Sequence, residues 1–367
     1  MSMVVPVGPR MLADTMDGLT ATLRPMAAAY GAGSRTILFT AFEPSGDAHA
    51  APVIRALREL DPTVRIAAWG GSRMREAGAE LIGITAEDGA MGLAGLSKIN
   101  LVRRVRREVA EWSLANRVVL HVPVDSPAAN FPVVKAIRPR GIRTVHLVAP
   151  QMWAWGEWRL AKLRRLTDLV LCLLPFEEAW FRERGVQAAF IGHPVINRAF
   201  DEAALAAAIR HLPSGSPKIA LLPGSRSQEL KANLRSMVDT FIELQGRHRG
   251  MTGVIVAANE NLAHLAMRLV PSLPNGLHVV VGDIDGALRW CDLAINVSGT
   301  VSLDVARHGK PMVGLYRVGW LSYLVSKLVL RAPYRLLPNI IAGAEVVPEF
   351  VPTPFGAQAF ADAADEF

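Results

Sequence analysis

From residue 36 onward the chain alternates short apolar runs with longer amphipathic stretches. The runs at 36–42, 64–69, 118–124, 144–149, 169–174 and 188–191 are rich in strand-forming residues and nearly free of charge. Stretches of helical period separate most of them, notably 48–60 and 101–112. Continuous apolar strands alternating with helices predict a parallel sheet covered on both faces. Residues 197–217 read as a weaker, Ala-rich helix ending in Pro213-Ser214-Gly215-Ser216-Pro217, which predicts a connection between domains. The alternation then restarts, with strands predicted at 219–222, 253–257, 278–281, 293–296 and 311–315. The pattern predicts an α/β chain of two successive Rossmann-like domains, 35–196 and 218–343, joined by the linker 197–217 and followed by a C-terminal segment, 344–367. Ligands of such sheets bind at the carboxyl ends of the strands, so the expected site is an interdomain cleft faced by both sheets.

Residues 1–34 are Ala- and Met-rich and are interrupted by Pro6, Pro9, Asp14, Asp17 and Pro25. They lack the basic start and unbroken apolar stretch of a secretory signal, and predict a poorly structured extension. Met11, Met16 and Met26 are alternative starts. Residues 318–335 read as an amphipathic helix, with Trp320, Leu321, Tyr323, Leu324, Leu328 and Leu330 set among Lys327 and Arg331.

Composition narrows the partners. The 367 residues are 51% hydrophobic, enough for two cores. Mean hydropathy is +0.24, yet no apolar run reaches the roughly 20 residues of a membrane span. Cys172 and Cys291 lie far apart, in or beside strand-like segments, and read as buried thiols of a reducing compartment. A net charge of +7 suits an anionic partner: nucleic acid, an acidic membrane face or a phosphorylated substrate. The absence of an aromatic–basic signature and of zinc-finger spacing disfavours nucleic acid. Gly31-Ala32-Gly33 precedes the first strand instead of following it, and no G-x-x-x-x-G-K-[ST] occurs, so nicotinamide and P-loop chemistry are disfavoured.

The candidate chemistry sits where strands give way to helices. Leu221-Leu222-Pro223-Gly224-Ser225-Arg226-Ser227-Gln228-Glu229 is a buried strand, a tight turn and a helix start. Free N–H groups and the helix dipole there suit a phosphate, with Gly224 allowing close approach, Ser225 available as a cap and Arg226 as a fork-shaped donor. Ser298-Gly299-Thr300 repeats this logic after another strand, and Asp304, one turn into the helix, suits a ribose diol. Glu43-Pro44-Ser45-Gly46-Asp47 and Val124-Asp125-Ser126-Pro127 end two strands of the first half. Asp125 is a candidate general base there. Each of these stretches also reads as an ordinary capped helix start. Asp283-Ile284-Asp285 resembles a metal-binding pair, but a turn with an N-cap is the favoured reading. Trp153, Trp155 and Trp158 fall within six residues, too many to turn inward together beside Gly156 and Glu157. The helix at 101–112 carries Val102, Val105, Val109 and Trp112 on one face and Arg103, Arg104, Arg106 and Arg107 elsewhere, which suits either an anionic bilayer or plain solvent.

Taken together, these residues resemble the lipid-A-disaccharide synthases, inverting glycosyltransferases of the GT-B fold. The likeness runs from about Thr36 to Phe350. Besides the stretches above it includes Gly70-Gly71, Met74 and Gly78, Met91-Gly92, Asp125-x-Pro127-x-x-Asn130, and Trp153-Ala154-Trp155 with Arg159. It continues through Leu174-Pro175-Phe176-Glu177, Gly192-His193-Pro194, Leu337-Pro338-Asn339 and Val346-Val347-Pro348-Glu349. The resemblance implies transfer of a 2,3-diacylglucosamine unit from UDP to the 6-hydroxyl of 2,3-diacylglucosamine 1-phosphate, giving a β-1,6-linked disaccharide phosphate and UDP. It implies Asp125 as general base, and Gly224, Ser225, Arg226, Glu229, Ser298, Gly299, Thr300 and Asp304 as UDP-binding residues. Glu43, Ser45, Gly46, Asp47, Met91, Asn130, Trp153 and Arg159 fall on the acceptor side. It implies no metal and no cofactor beyond the UDP-sugar substrate, a peripheral position on the cytoplasmic face of the inner membrane, and compatibility with an oligomer. Segments 96–112 and 318–335 are the expected lipid-facing surfaces. Phe42, Gly95, Ala128-Ala129, Ala149 and Asp304 depart from the family pattern, and the C-terminus is expected to be short of the family's usual helices. A large ring at Phe42 is expected to obstruct a ligand. The alternatives are a related UDP-sugar transferase with a different acceptor, a UDP-N-acetylglucosamine 2-epimerase-like enzyme, and a non-catalytic homologue.

Overall fold

The structure is a computed structural model that describes residues 35–86, 95–317, 333–353 and 356–367, without the side chains of 95–98 and 197. The extension 1–34, Met91-Gly92 and most of the helix expected at 318–335 lie outside the described residues. The chain divides into two compact units, Met1–Pro194 and Val195–Phe367.

In the first unit the elements run β1 (Thr36–Thr40), α1 (Pro44–Leu60), β2 (Arg65–Gly70), α2 (Ser72–Glu76), β3 (Glu80–Ile84), α3 (Gly95–Ala115), β4 (Val118–Pro123) and α4 (Pro127–Ile137). They continue with β5 (Arg143–Leu147), a 3₁₀ turn (Glu157–Arg159), α5 (Leu160–Leu166), β6 (Leu169–Cys172), α6 (Pro175–Glu183) and β7 (Ala188–Phe190). The sheet is parallel, in the order β3-β2-β1-β4-β5-β6-β7. Alternate residues of β1 feed opposite cores. Phe39 packs with Ala50, Ile54 and Ile66, and Leu38 packs with Val105, Val109 and Val133. This two-sided burial is why the strands read as unbroken apolar runs. The strand β3 was not foreseen. It is a half-exposed edge strand whose Glu80 and Gly83 break the apolar pattern.

The short helix α7 (Pro194–Asn197) crosses the division between the units. The second unit contains α8 (Glu202–Ile209), β8 (Lys218–Leu222), α9 (Ser227–Arg247), β9 (Thr252–Ala257), α10 (Glu260–Leu269), β10 (Leu277–Val281) and α11 (Ile284–Trp290). Then follow β11 (Leu293–Asn296), α12 (Val301–Arg307), β12 (Met312–Arg317), α13 (Leu337–Ala342), β13 (Glu349–Thr353) and α14 (Ala357–Ala364). Its sheet is also parallel, in the order β10-β9-β8-β11-β12-β13. Within the stretch 197–217, α8 packs on α11, burying Leu205 and pairing Glu202 with Arg289 at 2.8 Å. At the far end, α14 packs on α9 through Phe360, with Arg247 bonded to Asp362 at 2.8 Å.

One buried side chain joins α13 to β13. The Asn339 amide donates to the Val347 carbonyl (2.8 Å) and to Glu349 (3.0 Å), and its oxygen accepts from the N–H groups of Val346 (2.8 Å) and Val347 (2.9 Å). Glu349 in turn accepts from the backbone N–H groups of Arg335 and Leu336, each at 2.9 Å. All four hydrogen-bonding positions of a fully buried amide are used. Asn339→Ala leaves the buried N–H and carbonyl of Val347 without partners, at about 1–3 kcal/mol each before relaxation, and frees the part-buried N–H of Val346. Urea titration should show the second unit destabilised by about 2–4 kcal/mol; an unchanged midpoint would mean that these bonds do not hold β13 in place.

Candidate active site

Each sheet has one place where the direction of winding reverses. The chain moves outward from β1 to β3 and returns to β4, and it moves outward from β8 to β10 and returns to β11. Loops leaving adjacent strands at such a point diverge to opposite sides and open a crevice at the strands' carboxyl ends. The stretches singled out by sequence lie there: residues 41–47 after β1, 124–127 after β4, 223–226 after β8 and 297–300 after β11.

In the first unit the loop after β4 turns sharply. Asp125 and Ser126 both have left-handed backbone, at φ 50° and 36°. Each such non-glycine residue stores on the order of 1–3 kcal/mol, held only where the surroundings enforce it. Asn130 enforces it, because its buried amide donates to the carbonyls of Val124 (2.9 Å) and Asp125 (2.8 Å). The Thr40 hydroxyl fixes that amide by donating to the Asn130 oxygen at 2.7 Å. The same hydroxyl lies 2.9 Å from Nε2 of His121, which burial pushes down to about 3, with His146 adding to the effect. A neutral His121 therefore donates Nε2–H to Thr40. The outcome is a strained elbow that leaves the Asp125 carboxylate partly exposed at the sheet edge. Asn130 itself is fully buried, so it holds the elbow and lines no surface, contrary to its expected acceptor-side position.

Asp47 is also turned inward. Its carboxylate accepts from the N–H groups of Gly71 (2.9 Å), Arg73 (3.0 Å) and Met74 (3.1 Å), which caps α2. A side chain at position 71 would collide with it, which accounts for Gly71 in that motif. Its expected acceptor-side role is thereby reduced to positioning the loop. Glu43, Ser45 and Gly46 remain at the carboxyl end of β1; Glu43 is the N-cap residue of α1 and Gly46 is buried against Val124. The Phe42 ring is buried in the core with Leu38 and Trp69, so it does not obstruct the loop as expected. Sequence reasoning missed two histidines here. His49, two residues after Asp47, meets His193 edge to face at 6.0 Å. Burial holds His49 below its usual range against the opposing charge of Asp125, and burial with His49 lowers His193 to about 4. The signals were His193 within Gly192-His193-Pro194 and His49 just after the Glu43–Asp47 stretch, and neither was given a role.

The segment after β5 carries the tryptophans. Trp153 is half-buried and donates Nε1–H to Glu177 at 3.0 Å, while its ring meets Phe176. Burial lifts Glu177 to about 7. Arg159 is turned back over Trp155 at 4.0 Å and bonded to that residue's carbonyl. Met91 lies outside the described residues.

In the second unit the two loops leave paired strands. Leu222 of β8 is in register with Asn296 of β11, and Val297 N–H donates to the Leu222 carbonyl at 3.1 Å. Both turns need a glycine at positive φ, with Gly224 at 109° and Gly299 at 127°. Ser225 does not cap α9. The cap position is Arg226, and Glu229 reaches back to accept from the N–H groups of Ser225 (3.1 Å) and Arg226 (3.2 Å). The other Glu229 oxygen accepts from the Arg226 guanidinium at 2.9 Å. Glu229 thus serves the loop itself, while Ser225 and Arg226 are exposed. Ser298 and Gly299 are half-buried, Thr300 is exposed, and Ser302 ties the turn by donating to the Gly299 carbonyl at 2.7 Å. Asp304 is largely buried. Burial lifts it to about 6 against the pull of Arg198, with Asp285 adding to the rise and Arg307 opposing it. Arg198 lies 3.7 Å from it and 2.6 Å from Asp285.

Asp283 caps α11 by accepting from Gly286 N–H at 2.8 Å, and Asp285 pairs with Arg198, Arg307 and His308, as a turn with an N-cap predicts. Among the described residues no group of three or more His, Cys, Asp or Glu side chains is arranged to hold a metal. Both cysteines are free and buried.

Residues 37–365 match the family model described as lipid-A-disaccharide synthetase. The lipid-A-disaccharide synthase of Granulibacter bethesdensis is 36% identical over 320 residues, covering 86% of this chain and 81% of the relative. That of Pseudomonas paraeruginosa is 32% identical over 324 residues, covering 87% and 86%. Among solved structures, the Methanocaldococcus jannaschii UDP-GlcNAc 2-epimerase in complex with UDP-GlcNAc and UDP aligns at TM-score 0.58 and 8% identity, over 91% of this chain and 92% of its own. A glycosyltransferase from Rickettsia africae aligns at 0.51 and 13%, over 91% and 88%. At such identities the structures share the fold alone, two parallel-sheet α/β units of the GT-B plan, whereas the family model and the relatives above 30% carry a closer kinship. The chain belongs to the lipid-A-disaccharide synthase family of UDP-sugar-dependent glycosyltransferases.

Proposed function

We propose that this chain transfers a 2,3-diacylglucosamine unit from UDP to the 6-hydroxyl of 2,3-diacylglucosamine 1-phosphate. Asp125 removes the hydroxyl proton as the oxygen attacks C1 of the donor from the face opposite the leaving group. The C1–O bond to UDP breaks, the configuration inverts, and UDP departs with its new charge met by Arg226 and the turn at Ser298-Gly299-Thr300. Charge held by donors already in place is worth most as it develops. No metal is needed in this scheme. Because both substrates are acylated, the reading places the work at the cytoplasmic face of the inner membrane.

The observation that carries the reading is the strained elbow at Asp125, at the winding reversal of the first sheet and held from beneath by Asn130. Of the departures at this end, Phe42, Ala129 and Ala149 are buried, while Ala128 is exposed three residues after Asp125. The epimerase alternative has only a shared fold behind it. Incubating the purified protein with UDP-2,3-diacylglucosamine and its 1-phosphate acceptor should yield the disaccharide phosphate by mass spectrometry. Donor binding without product would turn the assignment toward a different acceptor.

Asp125→Ala should lower kcat by about 10²–10⁴-fold and leave the affinity for UDP within twofold; unchanged turnover removes Asp125 from the mechanism. Arg226→Ala should weaken UDP binding by roughly tenfold, the low end for a charge-assisted bond, because Glu229 already competes for the guanidinium. A calorimetric titration with no change would sink its phosphate role. Asp304 gives a pH signature. Its carboxylate, lifted to about 6, accepts from ribose hydroxyls best when ionised. Affinity for UDP-GlcNAc, whose diphosphate diester does not titrate in this range, should therefore rise by up to about tenfold from pH 5 to 7. Asp304→Asn should flatten the profile, and a wild-type affinity flat across that range would remove Asp304 from the ribose contact.

A further inference from the structure

Within the segment 96–112, expected to face lipid, the apolar side chains of 101–112 are packed on the core. Val105 and Val109 of α3 are fully buried, and Trp112 packs edge-on against Trp69 at 5.6 Å. Its apolar stripe is therefore spent on the core, with Arg103, Arg104, Arg106 and Arg107 left to solvent. Another surface of the first unit has apolar rings to spare. Trp158 is 81% exposed and Trp155 is 48% exposed, although a tryptophan side chain is normally largely covered.

The 3₁₀ turn Glu157–Arg159 runs directly into α5, whose inner side buries Leu160, Leu163 and Leu166. Positions 158, 162 and 165 are spaced by four and three, so Trp158, Lys162 and Arg165 share the outer stripe. Arg159 stacks on Trp155, and Lys162 lies close enough to Lys135, Arg159 and Arg165 to feel the charge of all three. Among the described residues none of these four cations makes an ion pair; the nearby Glu157 is taken by Arg184 at 2.8 Å. Uncompensated like charge beside exposed indole rings is unfavourable in water alone. It suits a surface that offers negative headgroups and an amphipathic boundary, where tryptophan is enriched and Lys and Arg are attracted. The segment also leaves β5, which neighbours β4, so it issues from the same sheet edge as the Asp125 elbow.

We propose that the face formed by Trp155, Trp158, Lys162 and Arg165 docks on an anionic phospholipid bilayer. The proposal rests on the reading of acylated substrates above, and its test is independent of turnover. In a flotation assay the full-length protein is mixed with vesicles of three parts phosphatidylethanolamine to one part phosphatidylglycerol, and separately with pure phosphatidylcholine. The protein should float with the anionic vesicles, much less with the neutral ones, and less as salt is raised. The triple variant Trp158→Ser, Lys162→Glu, Arg165→Glu should lose at least about tenfold in partitioning. The conservative variant Lys162→Arg, Arg165→Lys should keep it. The triple variant should keep the wild type's far-UV circular dichroism and thermal midpoint, which establishes that it is folded. Equal flotation of triple variant and wild type, or no flotation of the wild type, overturns the proposal. So does finding that the triple substitution abolishes only binding to an RNA oligonucleotide, or only self-association by analytical ultracentrifugation, with flotation intact. Absence of transfer with intact, patch-dependent flotation counts against the proposed reaction alone.

Discussion

The backbone carbonyls of Val124 and Asp125 both accept hydrogen bonds from the amide of Asn130. Much of the first unit's functional edge depends on that pair of bonds. Without them, two successive left-handed residues before Pro127 have no reason to persist, and the strand would run into α4 by a relaxed path. The amide is only as well oriented as its oxygen, and that oxygen is set by Thr40 across the strand pair β1–β4. A polar layer thus lies under α4: Thr40, His121, Thr144 and His146 on the sheet and Asn130 on the helix, all fully buried. Burial keeps the histidines neutral, since a charged imidazole there would have no counter-ion.

Much of the architecture was readable from periodicity, and the reasons for the exceptions are physical. Strands buried on both faces announce themselves as unbroken apolar runs, as 219–222 and 293–296 did to within a residue. Two of the four edge strands did not, because Glu80–Ile84 and Glu349–Thr353 carry charge, glycine or proline and passed for loop, whereas the apolar edge strands Ala188–Phe190 and Leu277–Val281 were legible. Strand order was out of reach, since it depends on which runs pair across long separations. The candidate stretches were found because anion-friendly turns have a local signature of glycine, small residue and helix start. What each side chain does within them was less legible. Asp47 and Asn130 looked like ligands for a substrate because they are polar and stand near strand ends, yet Asp47 accepts from backbone N–H groups and Asn130 is divided between backbone carbonyls and Thr40. Phe42 looked like an obstruction because its rotamer is not written in the sequence; the ring turns into the core.

The loops after β8 and β11, proposed to hold the donor, follow a different logic from the elbow at Asp125. There the backbone conformation is supplied by glycine, at Gly224 and Gly299, without strain. The contrast fits the two tasks proposed for them. A base must be aimed to a fraction of an ångström, and strain enforced from below aims it. A diphosphate needs only an open concavity lined with donors, which permissive backbone provides.

The two oxygens of Glu229 divide their work: one holds the N–H groups of Ser225 and Arg226, the other holds the guanidinium of Arg226. On the proposed reading, an arriving nucleotide draws the guanidinium away while the first oxygen keeps the turn in shape. The loop is then preorganised, with no folding step between encounter and capture, and the arginine exchanges one anionic partner for another. The backbone of the turn and the position of the guanidinium are thereby decoupled: the guanidinium can change partner without disturbing the N–H groups that the first oxygen holds.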